Sequence, residues 1–297
     1  MKRRNFIWYS SLFAVGCTAE VNTAKSNSDK LAITAPKKLK FAVTDAIGIE
    51  KLQENFGAFR TTLEEILGVK IEFYPVKDRT EAAPALLSGQ LDIVFAGPSE
   101  YVILNARAKA IPIIAIRRNN YHTTFVVRAD SKIRSLAQLK GKTIAMKENG
   151  STSAHIAPTK MLIDAGLDPN TDVKIVMLGA KGVQALKKGE VDAWTISSDT
   201  YKTILDTEGL SEEDFYVIST GDTLPGDLFV ASSQISSSFV ADMRSRLLEN
   251  QEKLIQSLLV AKANQKYQGA KLIPVSDTDY NMIREVYQKI GQGKFLQ

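Results

Sequence analysis

Cysteine and histidine are almost absent: Cys17, His122 and His155 are all that 297 residues hold of the two types. One thiol cannot close an internal disulfide. Neither histidine sits in an H-E-x-x-H or Cys/His ligand spacing, so no metal centre is expected. Glycine-rich phosphate cradles are missing too. No G-x-x-x-x-G-K-[ST] and no G-x-G-x-x-G occurs, which leaves ATP, dinucleotides and cofactors in general without support. The G-x-S-x-G elbow of a serine hydrolase is absent as well. No basic stripe with interleaved aromatics appears, so no nucleic acid partner is expected. The formal charge is only +5, and Lys2, Arg3, Arg4, Lys25, Lys30, Lys37 and Lys38 all fall at the start of the chain, so the remainder is close to neutral. What is present is ordinary for a globular protein: 44% apolar and 24% charged residues, in a length that suits two domains.

The first residues have the order of an export signal. "MKRRN" is a positive n-region and "FIWYSSLFAV" an apolar stretch too short to span a bilayer. "AVGC" ends it at Cys17 and resembles a bacterial lipobox, which implies cleavage before Cys17 and acylation of its thiol; "RRNFI" resembles a twin-arginine export motif. An ordinary signal with an incidental cysteine is the alternative. Residues 1–16 are therefore expected as signal peptide and 17–37 as a polar tether without helical or strand period. Together they place a soluble domain outside the cytoplasm, in the periplasm, held to a membrane through a lipid on Cys17.

From Lys38 onward short apolar runs alternate with amphipathic helical patterns. "LKFAVT", "VKIEFY", "LDIVFAG", "IPIIAIR", "KTIAM", "VKIVML" and "VDAWTIS" read as strands. In 50–67, Leu52, Phe56, Phe59, Leu63, Ile66 and Leu67 share one helical face. Asp78 caps a helix that stops at Gly89, and a long amphipathic helix is expected over about 237–264. This alternation predicts α/β architecture with largely parallel sheets. One comparison is more specific. "ALLSGQLDIVFAGPSEY" (85–101) and "ALKKGEVDAWTISSDTY" (185–201) coincide at Ala85/Ala185, Leu86/Leu186, Gly89/Gly189, Asp92/Asp192 and Tyr101/Tyr201. Each copy reads as helix end, glycine stop, buried strand and new helix start.

Two similar α/β lobes in an exported chain resemble the periplasmic substrate-binding proteins of ABC importers, of type II. The resemblance implies two lobes joined by two crossover strands, with ligand held between them beyond the carboxyl ends of the strands. The crossings are expected near 121–128 and 224–231, giving one lobe from 38–123 plus 228–297 and another from 124–227.

"ENGSTSAH" (148–155) carries the candidate chemistry, because it follows strand "KTIAM" and opens a helix. Three readings compete. A hydroxyl at a helix start is a common cap. Ser151 or Ser153 beside His155 has the residue types of a nucleophile and its base, an exported serine hydrolase, though a third orienting group is needed. Unpaired N–H groups, the positive end of the helix and the hydroxyls of Ser151, Thr152 and Ser153 also suit an oxyanion.

"GVKIEFYPVKDRTEAAPALLSGQLDIVFAGPSEYV", "YHTTFVVRADS", "GSTSAH" and "LPGD" together resemble the phosphate, phosphite and phosphonate ABC-transporter substrate-binding proteins of PhnD type, over about 38–290. The resemblance implies a binding component without covalent chemistry, partnered by an inner-membrane ABC permease and expected as a monomer. It implies that Ser151, Thr152 and Ser153 hold the oxyanion, with His155 facing it from the first turn. Tyr121 and Thr124 match the crossover, Tyr101 the cleft edge of the first lobe, and Asp199 and Asp227 acidic ligand-contacting positions. These acids suit a P–OH donor or the ammonium of an aminoalkylphosphonate. "TDAIGIEKL" lacks an aromatic to pack on a substituent, which favours a small ligand such as phosphite or methylphosphonate. "VMLGAKGVQAL" lacks a histidine found in some members, for which His155 is the expected substitute. Arg117 and Arg118 are candidates to pair with the anion, but the expectation is that they sit solvated at a strand end. A sensor lobe of a membrane receptor is a further reading of the same fold.

Overall fold

A computed structural model describes residues 36–78 and 81–297. The signal segment and Cys17 lie outside the described residues, as does all of the expected tether before residue 36. In chain order the elements are β1 (Lys38–Val43), α1 (Ile49–Leu67), β2 (Lys70–Phe73), α2 (Ala82–Leu87), β3 (Ile93–Ala96), α3 (Pro98–Ala108) and β4 (Ile111–Arg117). They continue as β5 (His122–Arg128), β6 (Thr143–Met146), a π-helical turn (Thr152–Ile156) running into α4 (Ala157–Asp164), β7 (Lys174–Met177), α5 (Gly182–Lys188), β8 (Ala193–Ser197), α6 (Ser198–Glu208) and β9 (Phe215–Thr223). The last are β10 (Asp227–Ala231), α7 (Ser237–Glu249), α8 (Gln251–Leu259), β11 (Lys271–Ile273) and α9 (Asn281–Lys289).

The strands form two sheets, ordered β11-β4-β10-β3-β1-β2 and β7-β6-β8-β5-β9. Each sheet has a parallel run, β2-β1-β3 and β7-β6-β8. Each run is then met by an antiparallel strand that enters directly from the other sheet, β10 beside β3 and β5 beside β8. The sheets are thus only partly parallel, because the strand that follows each crossing runs against its neighbours. The chain leaves the first sheet after Arg117 and enters the second at His122; it leaves the second after Thr223 and re-enters the first at Asp227. The two short crossings run side by side, with Leu224 N–H donating to the Tyr121 carbonyl at 2.9 Å. Gly226 is needed there: a Cβ on it would lie 2.1 Å from the carbonyl oxygen of Ile116.

The internal repeat is structural. α3 and α6 occupy corresponding positions, and α2 and α5 both end at glycines with left-handed backbone, Gly89 at φ 72° and Gly189 at φ 75°. Asp92 accepts from Lys40 N–H at 2.7 Å and Asp192 from Thr143 N–H at 2.9 Å, while each aspartate's own N–H returns a bond to the same residue. Each copy therefore uses its aspartate to set the register between the first and third strands of its parallel run.

Helices cover both faces of each sheet. α1 buries Leu52, Phe56, Phe59, Leu63 and Leu67 against the first sheet, with Ile66 half-buried at the edge of that stripe. Phe95 and Phe229 stack at 4.8 Å beneath it. The expected single helix over 237–264 is two helices and a 3-10 stretch (Lys262–Tyr267). Asn250 ends α7 with backbone out of the helical region and its side-chain amide donating to the Arg246 carbonyl at 2.9 Å, which turns Leu254, Ile255 and Leu258 toward the core. α9 packs Ile283, Val286 and Tyr287 against Ile156 at the start of the second lobe's helix, so the C-terminal segment touches both lobes.

Candidate ligand-binding cleft

A cavity of about 650 Å³ opens between the sheets. Ser151, Thr152, Ser153 and Ala154 line it from the second lobe, Gly97 and Glu100 from the start of α3, and Arg118, Tyr121 and Asp227 from the crossings. An adjoining cavity of about 700 Å³ shares Asp45, Gly97, Lys147, Asp227 and Lys266 with it.

The 151–154 segment is held by its carbonyls and by two of its hydroxyls, Thr152 on Ser99 and Ser153 on Tyr121, and leaves the Ser151 hydroxyl and the first-turn N–H groups free. Thr123 Oγ1 donates to the Ser153 carbonyl at 2.7 Å, and Thr195 Oγ1 to the Ala154 carbonyl at 2.9 Å. The π turn wraps so that both His155 and Ile156 N–H groups reach the Ser151 carbonyl, at 3.0 and 2.9 Å. A π turn at a helix start is a recurring feature of functional sites. The N–H groups of Thr152, Ser153 and Ala154 have no acceptor among the described residues, as expected for a first turn. Ser151 stands at the cap position, but its hydroxyl accepts no capping bond. The cap reading therefore does not use it. Thr152 differs from its neighbours: Oγ1 accepts from Ser99 N–H at 3.1 Å and lies 3.0 Å from the Ser99 hydroxyl, which also bonds the Gly150 carbonyl. Its hydroxyl links the lobes.

His155 does not face the cavity. It is 5% exposed, and Nδ1 accepts from Gly150 N–H at 3.1 Å, so the ring braces the loop from behind. Burial pushes its pKa down to about 4. Among the described residues no hydrogen bond joins its ring to the hydroxyl of Ser151 or Ser153, so the pair required by a nucleophilic mechanism is not formed. Tyr101 is fully buried one turn into α3; it packs edge-on against Tyr280 at 4.7 Å and donates its hydroxyl to Asp277 at 2.6 Å. Its match with Tyr201 in the repeat marks a core position, since Tyr201 is also buried. Thr124 pairs with Ile196 across the β5–β8 ladder and gives its hydroxyl to the Ile196 carbonyl at 2.9 Å. Neither Tyr101 nor Thr124 reaches the ligand space.

Arg118, weighed from sequence as an anion partner but expected in solvent, lines the cavity. Its expected solvated position is wrong: the side chain is 4% exposed, whereas Arg117 beside it faces outward. The guanidinium lies 3.3 Å from the Tyr121 ring centroid, a cation–π stack. Nη1 donates to Asp227 Oδ2 at 3.4 Å, an oxygen that also accepts from the Tyr267 hydroxyl at 2.7 Å. Nε lies 3.0 Å from Asp199 Oδ2, an ion-pair distance, but its N–H is not aimed at that oxygen, and neither Asp199 oxygen accepts a hydrogen bond. Burial works against the arginine's charge, but Tyr121, Asp227 and Asp199 outweigh it and hold the group protonated. Burial raises the Asp199 carboxyl above its ordinary value, against the pull of Arg118. Asp199 therefore acts on the cavity through Arg118, while Asp227 lines it directly. The available signal was position: Arg118 lies three residues before Tyr121 in the same crossing.

Residues 41–280 match a family profile described as the periplasmic substrate-binding protein of phosphonate ABC transporters. The "Phosphate-import protein PhnD" of Mycolicibacterium smegmatis is 24% identical over 309 aligned positions, covering 95% of this chain and 96% of that protein. Among solved structures, XAC2383 from Xanthomonas citri bound to ATP superposes with a TM-score of 0.71 at 19% identity, covering 87% of this chain and 98% of that one. PhnD1 from Prochlorococcus marinus in complex with methylphosphonate gives 0.68 at 19% identity, covering 87% and 100%. At these identities the structural likeness is one of fold, a periplasmic-binding-protein architecture. The profile match spans most of the chain, which belongs to the family of phosphonate ABC-transporter periplasmic substrate-binding proteins.

Proposed function

We propose that this protein captures a compact phosphorus oxyanion, phosphite or methylphosphonate, between its lobes and delivers it to an ABC permease. The observation that carries this reading is the free donor set at 151–154: an unused Ser151 hydroxyl and the unpaired N–H groups of Thr152, Ser153 and Ala154, all lining the cleft. Backbone donors at the positive end of a helix match the three oxygens of a phosphonate head and cost no rearrangement to present. Binding of methylphosphonate by the Prochlorococcus protein and the phosphate-import name of the Mycolicibacterium relative support the same ligand class. Phosphate itself therefore belongs in any comparison. The protein acts as a monomer held outside the cytoplasm, with acylated Cys17 as its membrane anchor.

A thermal-shift series with phosphite, phosphate, methylphosphonate and sulfate tests the reading. A true ligand raises the unfolding temperature with a logarithmic dependence on concentration above its dissociation constant. Phosphite or methylphosphonate should give the largest shift. Equal response to sulfate, or no response to any phosphorus oxyanion, contradicts the assignment.

A further inference from the structure

We infer that Arg118 makes the cleft selective against ligands with a cationic substituent, so that alkyl phosphorus oxyanions enter and aminoalkylphosphonates are refused. The inference rests on the oxyanion reading of 151–154. Two acidic residues, Asp199 at the start of α6 and Asp227 at the second crossing, would suit an ammonium group if they stood free. They do not. The Arg118 guanidinium lies 3.0 Å from Asp199 and 3.4 Å from Asp227, and both carboxylates are nearly out of water, at 6% and 7% side-chain exposure. The trio already contains its cation. With both carboxylates ionised it carries a net single negative charge, and a proton on Asp199, whose carboxyl pKa burial raises, brings it to zero.

An ammonium brought to this wall would find both carboxylates already engaged by the guanidinium, whose like charge opposes its approach to either acid. To pair with Asp227 it would have to displace the arginine, and that arginine is held on its far side by the Tyr121 ring at 3.3 Å. The Tyr267 hydroxyl, 2.7 Å from Asp227 Oδ2, occupies a further lone pair of the acid. An uncharged methyl or ethyl group meets no such opposition. The other charged groups of the lining are largely engaged already: Lys266 pairs with Asp45 at 3.4 Å, Lys147 with Glu148 at 3.4 Å, and Glu100 accepts from the Ser99 hydroxyl at 2.9 Å, while Glu54 lies at the exposed rim. Selectivity by a built-in repulsive element, in place of better contacts to the preferred ligand, is a common device.

Ethylphosphonate and 2-aminoethylphosphonate differ by the ammonium group alone, so calorimetric titration of both isolates its effect. Wild-type protein should bind ethylphosphonate at least about tenfold more tightly, a difference near 1.4 kcal/mol. In Arg118→Gln the ratio should fall to unity or invert. Because that variant leaves two buried acids without a cation, Arg118→Gln/Asp199→Asn is measured beside it; this pair removes the cation while the trio keeps its net charge. Comparable affinity for the two ligands in wild type, or undiminished discrimination in the double variant, overturns the role of Arg118 and leaves the oxyanion site standing. Failure of every phosphonate and of phosphate to bind wild type overturns the oxyanion reading, and this inference with it.

Discussion

Ser151 and His155 lie in one short loop and divide its work. The serine turns an unused hydroxyl into the cleft, and the histidine holds the loop's backbone from behind. The histidine's burial has a measurable consequence. The unfolded chain takes up a proton near the ordinary imidazole pKa of 6.5, while the folded ring does so only at about 4. Above about pH 6.5 the group costs nothing. As pH falls toward about 4 the unfolded state binds the extra proton and stability drops, on the order of 3 kcal/mol for the whole interval. His155→Asn keeps an acceptor for Gly150 N–H and cannot titrate. Urea unfolding at about pH 7 and about pH 4 should show a smaller acid loss in His155→Asn than in wild type; equal losses would clear His155 of the effect. At this scale the sequence was informative about type and poor about direction. "GSTSAH" announced donors and a helix start. That His155 turns away follows from a π turn, and no local pattern distinguishes that turn from an α-helical one. The burial of Arg118 was not legible for a different reason: "IPIIAIRRNN" looks like a strand running out into water, and the acids that bury the arginine come from later in the chain.

Among the elements, the repeat was the most legible feature, because its matched residues carry backbone duties. Gly89 and Gly189 take the left-handed conformation that stops a helix, and Asp92 and Asp192 tie the third strand of each parallel run to the first. These are short-range requirements, so they show in sequence. The antiparallel strands β5 and β10 were not legible as such, since strand direction is decided by where the chain crosses between lobes. The crossings themselves are short and close-packed. Gly226→Ala would put a methyl group 2.1 Å from the Ile116 carbonyl oxygen, and that neighbour is backbone with little room to yield. The expected cost is about 1–3 kcal/mol, seen as a lower urea midpoint with an unchanged slope. A neutral substitution would mean that the two crossings are looser than this packing requires.

Taken whole, the molecule brings three helix starts and two crossings to one cleft and binds the lobes across it through Ser99 and Thr152. The architecture followed from alternation and repeat, and Ser151, Thr152 and Ser153 of "GSTSAH" lie along one wall of the cleft. The opposite wall, where Arg118 joins Asp199 and Asp227, exists only when both crossings meet. The central claim is that the free donors at 151–154 bind the oxyanion, and one calorimetric experiment addresses it most directly. Wild-type protein and Ser151→Ala/Ser153→Ala are titrated with methylphosphonate under identical conditions. Each hydroxyl lost from a charged ligand should cost about 1.5–3 kcal/mol if it bonds the oxyanion. The account predicts one site per chain in wild type and at least about tenfold weaker binding in the variant, with the unfolding midpoint preserved. Unchanged affinity in a folded variant would contradict it.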